Sequence, residues 1–365
     1  MKRRPSAVAP SNGSVSVSFN FVMKQFKLAP LTLLLGGSLC SVFAPSHAAE
    51  PVRIKLATLA PRDSSFHKSL LAMGDKWKQA SAGAVTLTVY PDGTQGGEAD
   101  MVRRMRVGQL QAAMLTVPGL SQIEESVTSL QLMPMMFHSL DEFDYVIGKM
   151  RPALEKKFLD KGFVVLCWGD AGWVRFFSKQ PALVPDDYRR MKVFVWSGDT
   201  RSIEIYKGLG FNAVPLEQTD ILAGLQTGLV DVVTSIPFYA LAGQFHGIAP
   251  HMLEVNWVPL VGGTVISKKT WDAIPAASKP AMLKIAAEAG ETMKQRGRTE
   301  SDESVEAMKK RGLKVRQASP EALAAWQKLG EETYPRLRGK VVPAEMFDEV
   351  QRLVKEYRAG AGKRQ

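Results

Sequence analysis

The side chains best suited to bind a ligand follow predicted strands in the second half of the chain. Trp196, Ser197 and Asp199 come directly after one short apolar run, and Ser235 comes after a second. Because strands alternate with helical segments here, the pattern predicts a mostly parallel sheet covered by helices. Small ligands of such sheets lie beyond the carboxyl ends of the strands. These four residues therefore predict a ligand-binding site.

Motifs of common enzymes and metal sites are missing from the sequence. It contains no HExxH, GxSxG, Walker, CxxC or EF-hand pattern. Residues 208–213 read GLGFNA, but these glycines end a predicted helix, whereas a dinucleotide site needs them to open one. His246 and His251 lie five apart, a poor spacing for a metal on a helix. The sequence predicts no enzyme, no metal and no cofactor.

Composition and charge favour an ordinary globular protein. The chain has 365 residues, of which 45% are apolar and 23% are charged, and its net charge is +11. No basic run is interleaved with aromatic residues, so nucleic-acid binding is not predicted. The two cysteines are Cys40 and Cys167, and removal of the N-terminal segment would leave no internal disulfide.

Residues 1–48 have the pattern of a secretory signal. Two lysines precede an apolar stretch from Leu28 to Ala44, and the small residues 46–48 follow it. We expect cleavage between Ala48 and Ala49 and export to the periplasm. Two alternatives are a membrane anchor, which several prolines and glycines in the stretch disfavour, and a lipoprotein processed at Cys40.

The stretch from Lys192 to Pro237 resembles the second half of a known family. It is similar to the periplasmic substrate-binding proteins of TRAP (tripartite ATP-independent periplasmic) transporters, dicarboxylate type. The matching residues there are Met191-Lys192-Val193, Leu209-Gly210, Val214-Pro215, Leu225-Gln226-Thr227-Gly228, Val230-Asp231 and Pro237. In the first half they are Tyr90-Pro91, Gly96-Gly97-Glu98 and Val107-Gly108-Gln109-Leu110. The resemblance spans Val52 to about Leu353.

The resemblance implies an α/β fold of two lobes, a type II-like periplasmic binding protein with crossover hinge strands. Lobe I would comprise residues 49–171 and about 259–277, and lobe II residues 172–258. A long helix over 278–312 would bridge the lobes, although Gly290 and Gly297 are expected to weaken or break it. A helical tail over 313–365 would pack on the lobes.

The resemblance also implies a function. The chain would be a monomeric extracytoplasmic solute-binding protein that captures a small organic solute. The expected solute is an organic acid, held in an atypical site that lacks the usual arginine. It would deliver this solute to the small and large subunits of a TRAP membrane permease. The alternative is a periplasmic sensor that presents its ligand to a membrane receptor.

The candidate contacts combine the resemblance with local chemistry. The resemblance implies Thr116, Phe194, Ser197 and Ser235, and local chemistry adds Trp168, Trp173, Arg175, Trp196, Asp199 and Tyr239.

The resemblance implies two arginines, one of which commonly grips a substrate carboxylate in this family. Their positions fall on Phe194, for the carboxylate-binding arginine, and on Val174 in this chain. Either the ligand is less anionic than a dicarboxylate, or another cation such as Arg175 holds its carboxylate. Arg175 would reach the site only if the strand register slips by one or a bulge intervenes, because neighbouring strand residues face opposite sides.

Overall fold

The computed structural model describes residues 50–361, so the predicted signal sequence lies outside the described residues. The strands are β1 Val52–Thr58, β2 Val85–Tyr90, β3 Ala112–Thr116, β4 Phe163–Trp173, β5 Arg175–Ser178, β6 Lys192–Trp196, β7 Asn212–Leu216, β8 Val232–Ser235, β9 His251–Glu254, β10 Pro259–Ser267 and β11 Lys314–Gln317. The helices are α1 Ser65–Ala80, α2 Glu98–Arg106, α3 Val117–Leu120, α4 Leu140–Asp160, α5 Pro185–Arg189, α6 Thr200–Gly208, α7 Ile221–Thr227, α8 Pro237–Ala242, α9 Lys268–Ala273, α10 Lys279–Lys309, α11 Pro320–Leu337 and α12 Ala344–Ala361. Within residues 50–361, none of the helices has the length and apolar character that a membrane span requires.

The strands form two sheets. Sheet 1 has the order β2-β1-β3-β10-β4, and sheet 2 has the order β11-β9-β5-β8-β6-β7. Strands β1, β2 and β3 pair in parallel, as do β6, β7 and β8, whereas β10 and β5 run antiparallel to their neighbours. The predicted α/β class is confirmed, and the strands between Lys192 and Ser235 pair in parallel as predicted, although both sheets are mixed.

Two short segments carry the chain between the sheets. Only Val174 separates the end of β4 in sheet 1 from the start of β5 in sheet 2. The return runs from β9 to β10 over residues 255–258, and the Val174 N–H donates to the Val258 carbonyl at 2.9 Å. The two crossings therefore lie side by side, as expected of hinge strands. The residue bounds assigned to the lobes stay a prediction.

Helix α10 is a single unbroken helix of 31 residues. The expectation that Gly290 and Gly297 break it is wrong, because both glycines serve close packing. A Cβ at Gly290 would lie 2.6 Å from the Cβ of the buried Cys167, and one at Gly297 would lie 3.1 Å from the Cα of Ala171. Bare backbone at these positions lets the helix approach β4 of sheet 1.

A partly buried ion pair fixes α10 to the end of β4. The Arg298 guanidinium donates to both carboxylate oxygens of Asp170, with Nε–Oδ1 at 3.0 Å and Nη2–Oδ2 at 2.6 Å. It also donates to Asp144 of α4 at 2.7 and 2.9 Å. The Ser301 hydroxyl donates to the Ala171 carbonyl at 3.0 Å. Helix α10 is thereby fastened beside the first crossing.

The C-terminal part of the chain packs on this framework. Residues 314–317, predicted as part of a helical tail, form the strand β11 beside β9. Trp326 of α11 is fully buried among the rings of Phe176, Tyr188 and Trp257. The tail therefore contributes to both the second sheet and its core.

Candidate ligand-binding site

A cleft opens where the carboxyl ends of strands from both sheets meet. Its empty volume is about 1010 Å³, which includes space open to solvent. Its walls are formed by Leu59, Thr116, Pro118, Gln131, Leu132, Pro134, Val174, Phe194, Val195, Trp196, Asp199, Ser202, Ile205, Tyr206, Gln218, Ile221, Thr234, Ser235, Ile236, Tyr239, Phe245, Trp257, Val258 and Leu260. The structure thus brings together six predicted contacts: Thr116, Phe194, Trp196, Asp199, Ser235 and Tyr239.

An inner cavity adjoins the cleft beneath α10. The two spaces share Thr116 and Tyr239, and the inner cavity is also lined by Trp168 and Asp170. The Trp168 indole N–H donates to Glu155 Oε1 at 3.1 Å, and its ring packs edge-on against Phe158. Trp168 therefore borders the site from the side of sheet 1.

Glu98 holds the sheet 1 side of the cleft in place. Its carboxyl group is buried and accepts hydrogen bonds from the Thr116 N–H and hydroxyl, both at 2.7 Å, and from the Gly119 N–H at 2.9 Å. These bonds occupy the N-terminus of the one-turn helix α3. Burial raises the pKa of Glu98 despite these bonds, and the nearby charge of Asp199 acts in the same direction.

Asp199 holds the sheet 2 side in a similar way. It is the N-cap of α6, where its carboxylate accepts from the Ser202 N–H at 3.1 Å and from the Ser202 hydroxyl. The side chain is buried, and burial raises its pKa while the Ser202 hydrogen bonds oppose that shift. The carboxyl group therefore lies in the wall of the cleft with its local hydrogen-bonding needs largely met.

Aromatic groups form much of the remaining wall. The Trp257 indole N–H donates to the Tyr206 hydroxyl at 3.2 Å, and burial raises the pKa of Tyr206 to about 12. Burial also raises the pKa of Tyr239, with the charge of Glu98 adding to the effect. Both tyrosines are therefore neutral hydroxyl groups at the cleft near pH 7.

Three predicted contacts lie elsewhere. Trp173 packs against the main apolar core, and the Ser197 hydroxyl donates to Glu217. Arg175 Nη1 donates to the Val255 carbonyl and to Asn256 Oδ1, both at 2.6 Å, and burial lowers its pKa. Its guanidinium is thus engaged by the second crossing and does not line the cleft, whereas its neighbour Val174 does.

Sequence reasoning missed several wall residues. Gln131, Tyr206, Gln218 and Trp257 reach the cleft from loops and helices far apart in the chain. No periodic pattern marks such positions, because each is placed by the packing of a different element. Among residues 50–361, no group of three or more His, Cys, Asp or Glu side chains is arranged to hold a metal ion.

Comparison with known proteins identifies the family. A family model described as bacterial extracellular solute-binding protein, family 7, matches residues 56–340. The C4-dicarboxylate-binding periplasmic protein DctP of Rhodobacter capsulatus is 22% identical over 77% of this chain and 85% of its own length. The 2,3-diketo-L-gulonate-binding periplasmic protein YiaO of Escherichia coli is 24% identical over 79% of this chain and 88% of its own length.

Solved structures give the same fold. A sugar acid binding protein from Advenella mimigardefordensis in complex with galactonate superimposes with a TM-score of 0.78 at 18% identity, covering 84% of this chain and 99% of the other. A TRAP periplasmic solute-binding protein from Xanthobacter autotrophicus with bound β-D-galacturonate gives 0.76 at 20% identity, covering 83% and 99%. The TRAP-type resemblance predicted from the sequence is confirmed, and this chain belongs to family 7 of the bacterial extracellular solute-binding proteins, which are not enzymes.

Proposed function

We propose that this protein captures a small organic solute in the cleft between the two sheets and delivers it to a TRAP membrane permease. The observation that carries the proposal is the position of the cleft, at the carboxyl ends of strands from both sheets and beside both crossings. The solved structures of similar proteins with bound galactonate and galacturonate support a solute about the size of these organic acids. The sensor alternative finds no support among these relatives.

The contacts we propose come from both sheets. Thr116 would contact the solute from sheet 1, and Trp196, Asp199, Ser235 and Tyr239 from the side of sheet 2. Phe194 would contribute an apolar face to the same wall. Because these groups belong to different sheets, a bound solute would favour the form in which the sheets are close together.

Contacts across the mouth of the cleft support such a closing motion. Arg201 of α6 lies 3.3 Å from Glu125 Oε2, and its Nη1 donates to the Ser121 hydroxyl at 3.3 Å. A Cβ at Gly97 would lie 3.1 Å from Glu217 Oε2. Arg201 meets residues that follow β3 from a helix that follows β6, and Gly97 and Glu217 follow β2 and β7. Each contact therefore joins a segment next to sheet 1 to one next to sheet 2, and both contacts would separate when the cleft opens.

The wider role follows from the family. We propose that the chain is exported to the periplasm with cleavage between Ala48 and Ala49. It would act there as a monomer and present its closed form to the small and large permease subunits. No interaction with nucleic acid is part of this role.

Filling the cleft is expected to abolish solute binding. In Ser235→Trp an indole would enter the cleft, whereas the control Ala80→Trp places the same ring on the exposed end of α1. We expect a bound solute at about 100 times its Kd to raise the Tm of the wild type by about 5 °C. The control should show the same rise and Ser235→Trp should show none.

Thermal unfolding in the presence of candidate solutes checks this expectation. The solutes are galacturonate, glucuronate, galactonate, succinate and the uncharged amides of these acids. Circular dichroism would establish that both variants are folded. A solute that stabilises the wild type and Ser235→Trp equally would mean that it binds outside the cleft, contrary to the proposal.

A further inference from the structure

We propose that the preferred solute carries no net negative charge, so that it is an uncharged or positively charged organic molecule with an apolar face. This inference rests on the proposed function and narrows it to a substrate class. It is carried by the groups that line the cleft and the inner cavity.

The first observation is that both walls lack a cation. Among residues 50–361, no Lys, Arg or His lines the cleft, the inner cavity or the outer cavity between Gly97 and Glu217. The two positions where the sequence resemblance implies an arginine do lie in the cleft wall, and they carry Val174 and Phe194. A carboxylate bound there would have no bidentate partner of the kind that arginine supplies.

The second observation is that nearby cations are already engaged. Arg175 is held by the carbonyl and amide oxygens of Val255 and Asn256, and unlike its neighbour Val174 it does not line the cleft. Arg201 pairs with Glu125 at the mouth. Bringing either guanidinium to a ligand would break these contacts. Movement of Arg175 would also leave the Val255 carbonyl and Asn256 Oδ1 without the hydrogen-bond donor that they now share.

The third observation is that the protein's own carboxyl groups occupy the positions that favour anions. Helix N-termini attract negative charge. At α6 the N-terminal N–H groups are capped by Asp199, and at α3 they are bound by Glu98. In the inner cavity, Asp170 is paired with Arg298. An anionic solute would therefore find these hydrogen-bond donors already used by the protein's own carboxyl groups.

The fourth observation is what the walls do offer. Trp196, Tyr206, Tyr239 and Trp257 supply aromatic surface, and side-chain amide and hydroxyl groups such as that of Gln218 supply neutral hydrogen bonds. Aromatic rings with nearby carboxyl groups suit uncharged polyols, amides and organic cations. Burying a carboxylate without a cationic partner is unfavourable, so the same walls discriminate against acids.

The test compares solutes that differ in charge but share a ring. Titration calorimetry of the wild-type protein at pH 7 would use D-glucuronate against D-glucuronamide and D-glucosamine, and D-galacturonate against D-galacturonamide and D-galactosamine. Thermal-shift screening of a library balanced among organic acids, neutral solutes and amines would extend the comparison. We expect the tightest binders to be neutral or cationic, and each amide to bind at least tenfold more tightly than its acid.

A variant reverses the preference. Phe194→Arg places a guanidinium in the wall, so we expect it to gain at least tenfold in affinity for the acids relative to the amides. Phe194→Leu, which removes the ring without adding charge, is the control and should keep the wild-type order.

The inference would be overturned if the acids bound the wild type more tightly than their amides, or if the best binders in the screen were anions. Either result would leave the proposed function standing. If no solute of any charge bound the wild type, the proposed function itself would fail, and the inference with it. The wild-type comparison decides the question even if Phe194→Arg does not fold.

Discussion

Replacing Arg298 with methionine is expected to lower the free energy of unfolding by about 3–5 kcal/mol. The Asp170 side chain is fully buried, and Arg298 gives it two hydrogen bonds, so the variant would leave a buried carboxyl group without its cationic partner. Burial acts to lower the pKa of Arg298, but the hydrogen bonds and charges of Asp170 and Asp144 outweigh burial and raise this pKa. Both carboxylates therefore favour the charged guanidinium.

Equilibrium unfolding in urea checks this expectation. Lys309→Met is the matched control, because Lys309 pairs with Glu306 on the exposed surface of the same helix and its loss should change stability far less. Similar losses in the two variants would contradict the assignment of Arg298 as the residue that fastens α10 beside the first crossing. Asp170→Asn would separate loss of charge from loss of packing.

Replacing Trp326 with alanine is expected to cost about 3–5 kcal/mol of stability. The ring is fully buried, with centroid distances of 4.9 Å to Phe176, 5.4 Å to Trp257 and 5.5 Å to Tyr188. Its indole N–H donates to the Leu183 carbonyl at 2.8 Å. The alanine variant would leave a large cavity and an unpaired carbonyl at the contact between α11 and sheet 2.

Leu323→Ala on the same helix is the control, since Leu323 is 38% exposed and its truncation should change stability by no more than about 0.5 kcal/mol. Urea unfolding of both variants is the measurement. A small loss for Trp326→Ala would mean that the C-terminal helices add little to the core. Because Trp257 also lines the cleft, the variant should weaken solute binding as well.

Much of the site could be predicted from the sequence where the local pattern determines position. Strand composition places Trp196 and Ser235 at strand ends, and the residues after β6 mark Asp199 as a helix start. Parallel strands deliver their ends to one edge of a sheet, so these residues meet without further information. The division into two lobes, by contrast, was implied by the family resemblance.

What could not be predicted depends on contacts between distant elements. Alternation on a strand separates Arg175 from Val174, but only the second crossing, some 80 residues later, shows what the guanidinium binds. Glycine has a low helix propensity, so Gly290 and Gly297 were expected to weaken or break α10. Their close packing against Cys167 and Ala171 is compatible with an unbroken helix. Packing between elements overrides propensity in both cases.

Native mass spectrometry tests most directly whether the protein captures a solute in the cleft. The protein would be purified from the periplasm without refolding and then denatured to release what it carries. We predict one small neutral or cationic molecule per wild-type chain, absent from Ser235→Trp. If Ser235→Trp retained the same molecule at equal stoichiometry, the solute would not be held in the cleft, contrary to our proposal. A wild-type protein that stays empty after incubation with a periplasmic extract would also contradict the proposal.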